Sequence, residues 1–195
     1  MTAPTVRGPP GGERLSRRFF SRAPDVVARA MLGNWLVHGD RAGLVVETEA
    51  YFDERDLASH ARFGQTERNQ VMFGVAGVAY VYLCYGIHHM FNVVADRRGT
   101  AGAVLVRALA PPPSAGLTAD WARGPGKVAR ALGLVRAHTG TDLTSAPSLC
   151  LARGPRRPKS IATGPRVGVA YAGAWAVRPL RFWVDGDPSV SAARG

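Results

Sequence analysis

The stretch from Leu44 to Arg107, about sixty residues built of short runs rich in β-branched and aromatic side chains, constrains the fold more than any other part of this chain. Ala42 to Thr48, Val78 to Cys84, Phe91 to Ala95 and Ala103 to Leu109 read as strands, as does Trp35 to His38 just before them. Gly86 between the second and third of these runs predicts a hairpin or sharp excursion with Tyr85-Gly86-Ile87-His88 at its tip. Strands and helices do not alternate regularly, so the expected fold is a single α+β domain. It has a curved, mainly antiparallel sheet, surrounding helices and a protruding hairpin.

Two helices are marked by their ends. Pro24-Asp25 opens one, with proline at an early position and an acid in the first turn, and Gly33 closes it; Val26, Val27, Ala30 and Met31 would form its buried stripe. Gly124-Pro125-Gly126-Lys127 opens the other, with Val128, Ala131 and Leu132 on one face and Gly133 as its stop. Phe52 to Gln70 is polar and without a period, a loop or short surface helix that carries His60, Arg62 and Arg68. Arg166 to Val169 and Leu180 to Val184 suggest two more strands around a small-residue turn or helix at Ala172 to Trp175. Residues 1–15 are expected to be a flexible arm, 16–191 the folded domain and 192–195 a tail. The first dozen residues lack the apolar core of a signal peptide, and no apolar run nears the roughly 18 residues that span a bilayer. Both point to a soluble cytoplasmic protein away from membranes.

The formal charge of +11 and pI ≈ 10.9 suit a polyanionic partner, nucleic acid above all. Of the 25 basic residues only Lys127 and Lys159 are lysines, and arginine suits phosphate forks and base stacking. Cys84 and Cys150 are isolated, which excludes a zinc ribbon or a four-cysteine cluster. His88-His89 would point to opposite strand faces, and the zinc-deaminase signature is absent. No metal is expected.

Read singly, most of the chemically interesting residues have an ordinary explanation beside a functional one. Glu47 and Glu49 share a strand face, either as ordinary ion-pair partners or with one of them a general base. Tyr80 and Tyr82 alternate on one face, as an aromatic ladder does. Tyr85, directly before a glycine at the excursion tip, would expose a ring able to wedge into a base stack. Asn92 and Arg107 sit in apolar strands and need polar partners; Glu47 or Glu49 is the natural one for Arg107. His60 lies among polar residues. The Gly126-Lys127 helix start offers N–H groups and a cation to a phosphate, but it lacks Walker spacing.

Taken as a set, Val46-Glu47-Thr48-Glu49-Ala50-Tyr51, Gln65-Thr66 with Arg68-Asn69, Tyr80-Val81-Tyr82 with Tyr85-Gly86, Asn92, Leu105 to Ala108, Gly124-Pro125 with Lys127, Arg166 to Val169 and Pro179 to Phe182 resemble the alkyladenine (3-methyladenine) DNA glycosylase family. The resemblance runs from about Phe19 to Ser191. It implies that Glu49 is the general base that activates water, held with help from Arg107 and the Val167 carbonyl. It implies that Tyr51 lies on one face of an extruded base, with His60 and Tyr82 on the other. Asn92 would crowd the exocyclic amine of guanine, and Tyr85 would fill the gap in the duplex. Arg68, Gly126 and Lys127 are candidate backbone contacts.

The implied protein is a monomer that approaches damaged double-stranded DNA through the minor groove, uses no cofactor and hydrolyses the N-glycosidic bond of alkylated or deaminated purines. A Schiff-base lyase needs an amine, and a chain with two lysines is expected to leave an intact abasic site. The alternative is a catalytically silent binder of damaged nucleic acid on the same scaffold. Two departures from the family's mammalian members stand out: Ile87-His88-His89 replaces a more hydrophobic stretch, and the loop between His60 and Thr66 is one residue shorter. Phe63 in that loop has no role in the pattern.

Overall fold

In the computed structural model, which describes residues 12–191, every strand pairing of the sheet is antiparallel. The strands are β1 (Trp35–His38), β2 (Arg41–Tyr51), β3 (Ala79–Cys84), β4 (His88–Val94), β5 (Ala103–Ala110), β6 (Ala122–Arg123), β7 (Leu149–Ala152), β8 (Ile161–Gly164) and β9 (Arg181–Val184). The main path runs β3-β4-β5-β2-β1-β7, with β6 beside β5 and β9 joining β2 to β8. The α+β architecture with a curved antiparallel sheet is therefore observed, and β2 is its hub. It pairs with β1 through its first half, with β9 through Glu47 to Glu49, and with β5 along its other edge.

The short α1 (Arg17–Phe20) precedes α2 (Pro24–Met31), which packs on β2 and β5, and α3 (Pro125–Leu132) packs on β4 and β5. α2 begins with proline, has Asp25 in its first turn, and buries Val27, Ala28 and Met31. Val26, expected in that stripe, is exposed, because the stripe is rotated so that Ala28 meets β2, where its carbonyl accepts from Thr48 Oγ1 at 2.9 Å. Gly33 has φ 78, and a Cβ there would lie 2.9 Å from the Arg156 carbonyl oxygen, so both backbone and space require glycine. α3 ends on Gly133 in the left-handed region, as its sequence predicts.

Arg166 to Val169 is not a strand, contrary to its β-branched composition; it is a turn in which Gly168 takes φ 75. The Val167 N–H goes to a side chain rather than to a neighbouring strand. Strands β7 and β8, which carry no clear alternation, were not evident in the sequence. Cys84 is half-buried near the hairpin tip. Of the expected arm, residues 1–11 lie outside the described residues, as does the 192–195 tail. Residues 13–15 lie against β7, where the Leu15 N–H donates to the Leu151 carbonyl and Leu15 is buried. No helix among the described residues is long and apolar enough to cross a membrane.

Candidate active site

Glu47 and Glu49 lie on one face of β2, and both are fully buried. The pairing of β2 with β5 slips on either side of Glu47, and Arg107 falls at the second slip. Its guanidinium lies over both carboxylates, with Nε donating to Glu47 Oε1 at 2.8 Å and Nη1 lying 3.1 Å from Glu49 Oε1. Burial alone would push Arg107 towards its neutral form, but Glu49 and Glu47 more than offset this and raise its pKa.

The two carboxylates then diverge. Glu47 also accepts from Arg181 Nε (2.7 Å), the Ser191 N–H (2.7 Å) and Ser191 Oγ (2.9 Å), which uses both of its oxygens within the protein. Glu49 borders a cavity of about 450 Å³. Its Oε1 accepts the Val167 N–H at 2.8 Å, and its Oε2 accepts the Tyr51 hydroxyl at 2.8 Å. Burial first, and the Glu49 charge second, hold the Tyr51 phenol well above its ordinary pKa, so it remains a donor. The Val167 amide thus contacts Glu49 directly.

Tyr51, His60, Tyr82, Asn92 and Arg107 line the same cavity, as do Val167, Arg68 and Tyr85. His60 and Tyr82 meet edge to face at 4.5 Å between ring centroids. Tyr80 and Tyr82 are tilted neighbours at 5.5 Å, so the aromatic ladder expected on β3 also forms a cavity wall. Asn92 Nδ2 donates to the Tyr80 and Met90 carbonyls (3.1 and 3.3 Å), which fixes the orientation of its amide at the wall. Tyr85 is 93 % exposed with φ 49, followed by Gly86 at φ 70, and the Ile87 N–H closes the turn on the Cys84 carbonyl at 3.0 Å. Two positive φ values in succession suit a hairpin tip, and here one of them is imposed on a tyrosine.

The candidate phosphate contacts divide. Arg68 is exposed at the cavity, its guanidinium 5.4 Å from the Tyr82 ring centroid. Gly126 and Lys127 instead line a second hollow of about 640 Å³ between α3 and the hairpin, beside His88 and Arg130. Lys127 Nζ is held by Asp120 Oδ2 at 2.5 Å, so a phosphate would have to compete with that carboxylate. Among the described residues no cluster of three or more His, Cys, Asp or Glu side chains could hold a metal ion.

Sequence reasoning missed the support behind Tyr51. Arg166 lies with its guanidinium 4.6 Å from the Tyr51 ring centroid, on a bidentate pair with Asp56 (Nη1–Oδ2 2.6 Å, Nη2–Oδ1 2.8 Å), and both side chains are fully buried. Arg166 Nη1 also donates to the Ala50 carbonyl at 2.8 Å. The only signal was an arginine next to Val167, and nothing marked Asp56.

His60 Nδ1 is hydrogen-bonded to the Tyr80 hydroxyl at 2.8 Å. Burial, and then the Arg68 and Arg62 charges, bring its pKa down to about 4. The folded protein therefore keeps His60 neutral where the unfolded chain protonates it, so its contribution to stability is complete above pH 6.5 and is lost as pH falls towards 4. At about 1.4 kcal/mol per unit, the total is roughly 3 kcal/mol. Denaturant unfolding should show stability falling between pH 6.5 and 5, and His60→Phe should lose that slope. An unchanged slope in the variant would show that other groups cause it.

The methylpurine-DNA glycosylase family model matches residues 18–188. A protein of Myxococcus xanthus (strain DK1622) named "Putative 3-methyladenine DNA glycosylase" is 50% identical over 186 residues, covering 91% of this chain and 93% of that protein. Proteins of the same name from Methanocella arvoryzae (strain DSM 22066 / NBRC 105507 / MRE50) and Legionella pneumophila (strain Corby) are 43% and 39% identical, over 91% of this chain and 95% and 98% of theirs. With the family model spanning most of the chain and identities this high over nearly full lengths, the chain belongs to the methylpurine-DNA glycosylase family.

Proposed function

We propose that this protein draws an alkylated or deaminated purine out of duplex DNA into the 450 Å³ cavity and hydrolyses its N-glycosidic bond with a water activated by Glu49. The observation that carries this reading is the position of Glu49: fully buried, at the cavity wall, with its carboxylate oriented by Arg107, the Val167 N–H and Tyr51. In the proposed step the water oxygen bonds to C1′ of the deoxyribose and its proton passes to Glu49. The C1′–N bond breaks, and its electron pair leaves with the purine. The transition state resembles the oxocarbenium ion of glycoside hydrolysis, and a carboxylate beside it stabilises the developing positive charge. Extrusion costs a few kcal/mol, least for a damaged pair, so discrimination begins before the base reaches the cavity.

In this reading Tyr51 lies against one face of the base, and His60 and Tyr82 against the other. Asn92 discourages guanine, while Tyr85 enters from the minor groove to fill the gap. Neither lysine is among the cavity residues, which supports hydrolysis without a Schiff base. Duplexes carrying 3-methyladenine, hypoxanthine or ethenoadenine should release free base, with strand breaks appearing only after alkali or heat. Breaks without that treatment would overturn the monofunctional reading, and no release from any of the three would leave a binder.

A further inference from the structure

Phe63, which the family pattern leaves without a role, belongs to a surface at the cavity mouth built by the short loop that also carries His60. His60 to Phe63 form a single 3₁₀ turn, capped by Ser59, whose side chain accepts the Ala61 N–H. The buried Asn69 locks the turn, donating to the His60 and Gly64 carbonyls at 2.8 and 2.9 Å. The turn therefore presents Phe63 from the same rigid unit that puts His60 in the wall. Phe63 is 80 % exposed, and Tyr171, from the turn after Val169, is 64 % exposed. The Arg62 guanidinium lies 4.5 Å from the Phe63 ring centroid and 5.2 Å from that of Tyr171. Among the described residues no carboxylate pairs with Arg62; the one hydrogen bond of its guanidinium is to the Leu57 carbonyl at 3.4 Å. Two large exposed rings around a cation that no acid neutralises are costly to leave in water, and they match what a nucleic acid strand offers, apolar sugar and base faces beside a phosphate.

Position selects the occupant. Tyr171 lines the cavity. A purine that enters the cavity remains tied to its own strand, so that strand's neighbouring sugar and phosphate must lie at the mouth. We infer that the Phe63–Arg62–Tyr171 ledge is a second contact surface for the DNA strand carrying the extruded purine, with Arg62 on a flanking phosphate and the two rings against the adjoining nucleotide. This rests on the glycosylase reading of the cavity and adds a contact distinct from the Tyr85 wedge.

The test is binding to a duplex carrying a tetrahydrofuran abasic analogue, which has no base to release, by wild type and by Phe63→Ser, Phe63→Leu, Tyr171→Ala and Arg62→Gln variants. Loss of an aromatic should weaken binding about 5- to 30-fold, with Phe63→Leu intermediate. Arg62→Gln should lower the slope of log Kd against log salt by roughly one phosphate contact, while Phe63→Ser leaves that slope in place. Shortening the damaged strand on one side of the lesion should erase the difference between wild type and the variants; shortening on the other side should preserve it. Affinities equal to wild type in all variants, or a loss that persists on duplexes shortened on either side, would overturn the ledge. So would a fall in the single-turnover rate at saturating protein with affinity unchanged. Failure of the glycosylase reading would look different: wild type itself would release no base from any lesion.

Discussion

Glu49→Gln should lower the single-turnover rate of base release by about 10²- to 10⁴-fold, the range over which a positioned general base contributes, while binding to an abasic-analogue duplex stays within about threefold. The geometry explains why the two effects separate. Glutamine is isosteric, and its carbonyl oxygen can still accept the Val167 N–H that now goes to Oε1. The Tyr51 hydroxyl can turn from donor to acceptor to meet the amide nitrogen in place of Oε2. What the amide cannot do is take a proton from water or offer negative charge to a sugar cation. Release measured as alkali-sensitive sites with protein in excess is the readout, and a rate equal to wild type would remove Glu49 from the chemistry. Glu47→Gln is the informative contrast. Glu47 is absent from the cavity wall and is bound by Arg107, Arg181 and Ser191, so its substitution should act on stability before rate.

That contrast also shows how far the sequence could be read. The two-residue spacing of Glu47 and Glu49 on a strand put them on one face, and the need of Arg107 for a carboxylate was evident from its apolar neighbours; the structure joins Arg107 to both. Spacing alone could not say which carboxylate faces the cavity. That depends on Ser191 and Arg181, which lie 144 and 134 positions from Glu47 along the chain. The strands of the central block were legible because β-branched and aromatic runs survive any tertiary context that buries both faces. Arg166 to Val169 carries the same composition and is a turn, because Gly168 permits a positive φ and Glu49 claims the Val167 N–H. Asp56 was illegible for a related reason. Its segment has no period, and its partner Arg166 is 110 residues away.

The Asp56–Arg166 pair should therefore be the most damaging place to interrupt the fold without touching the cavity. Removing one member of a buried ion pair leaves the other charge without compensation, which costs roughly 3–5 kcal/mol, out of the about 5–15 kcal/mol that typically holds a domain together. Asp56→Ala also strips acceptors from the Phe52 and Ala58 N–H groups, each at 3.0 Å. For a chain of this size each kcal/mol moves the midpoint by about 2–4 °C, so thermal unfolding should fall by roughly 6–20 °C. A midpoint within about 2 °C of wild type would mean that the guanidinium finds another partner or water. Removing both charges, as in Asp56→Leu with Arg166→Met, should recover much of the stability, since an apolar pair of similar volume avoids the desolvation cost. It should not recover base release to the same extent. The guanidinium that backs Tyr51 at 4.6 Å, and whose own backbone leads into Val167, would be gone. A stable double variant with low activity would assign Arg166 to holding Tyr51 and the Val167 N–H against Glu49, whereas full recovery of both would make the pair a matter of folding alone.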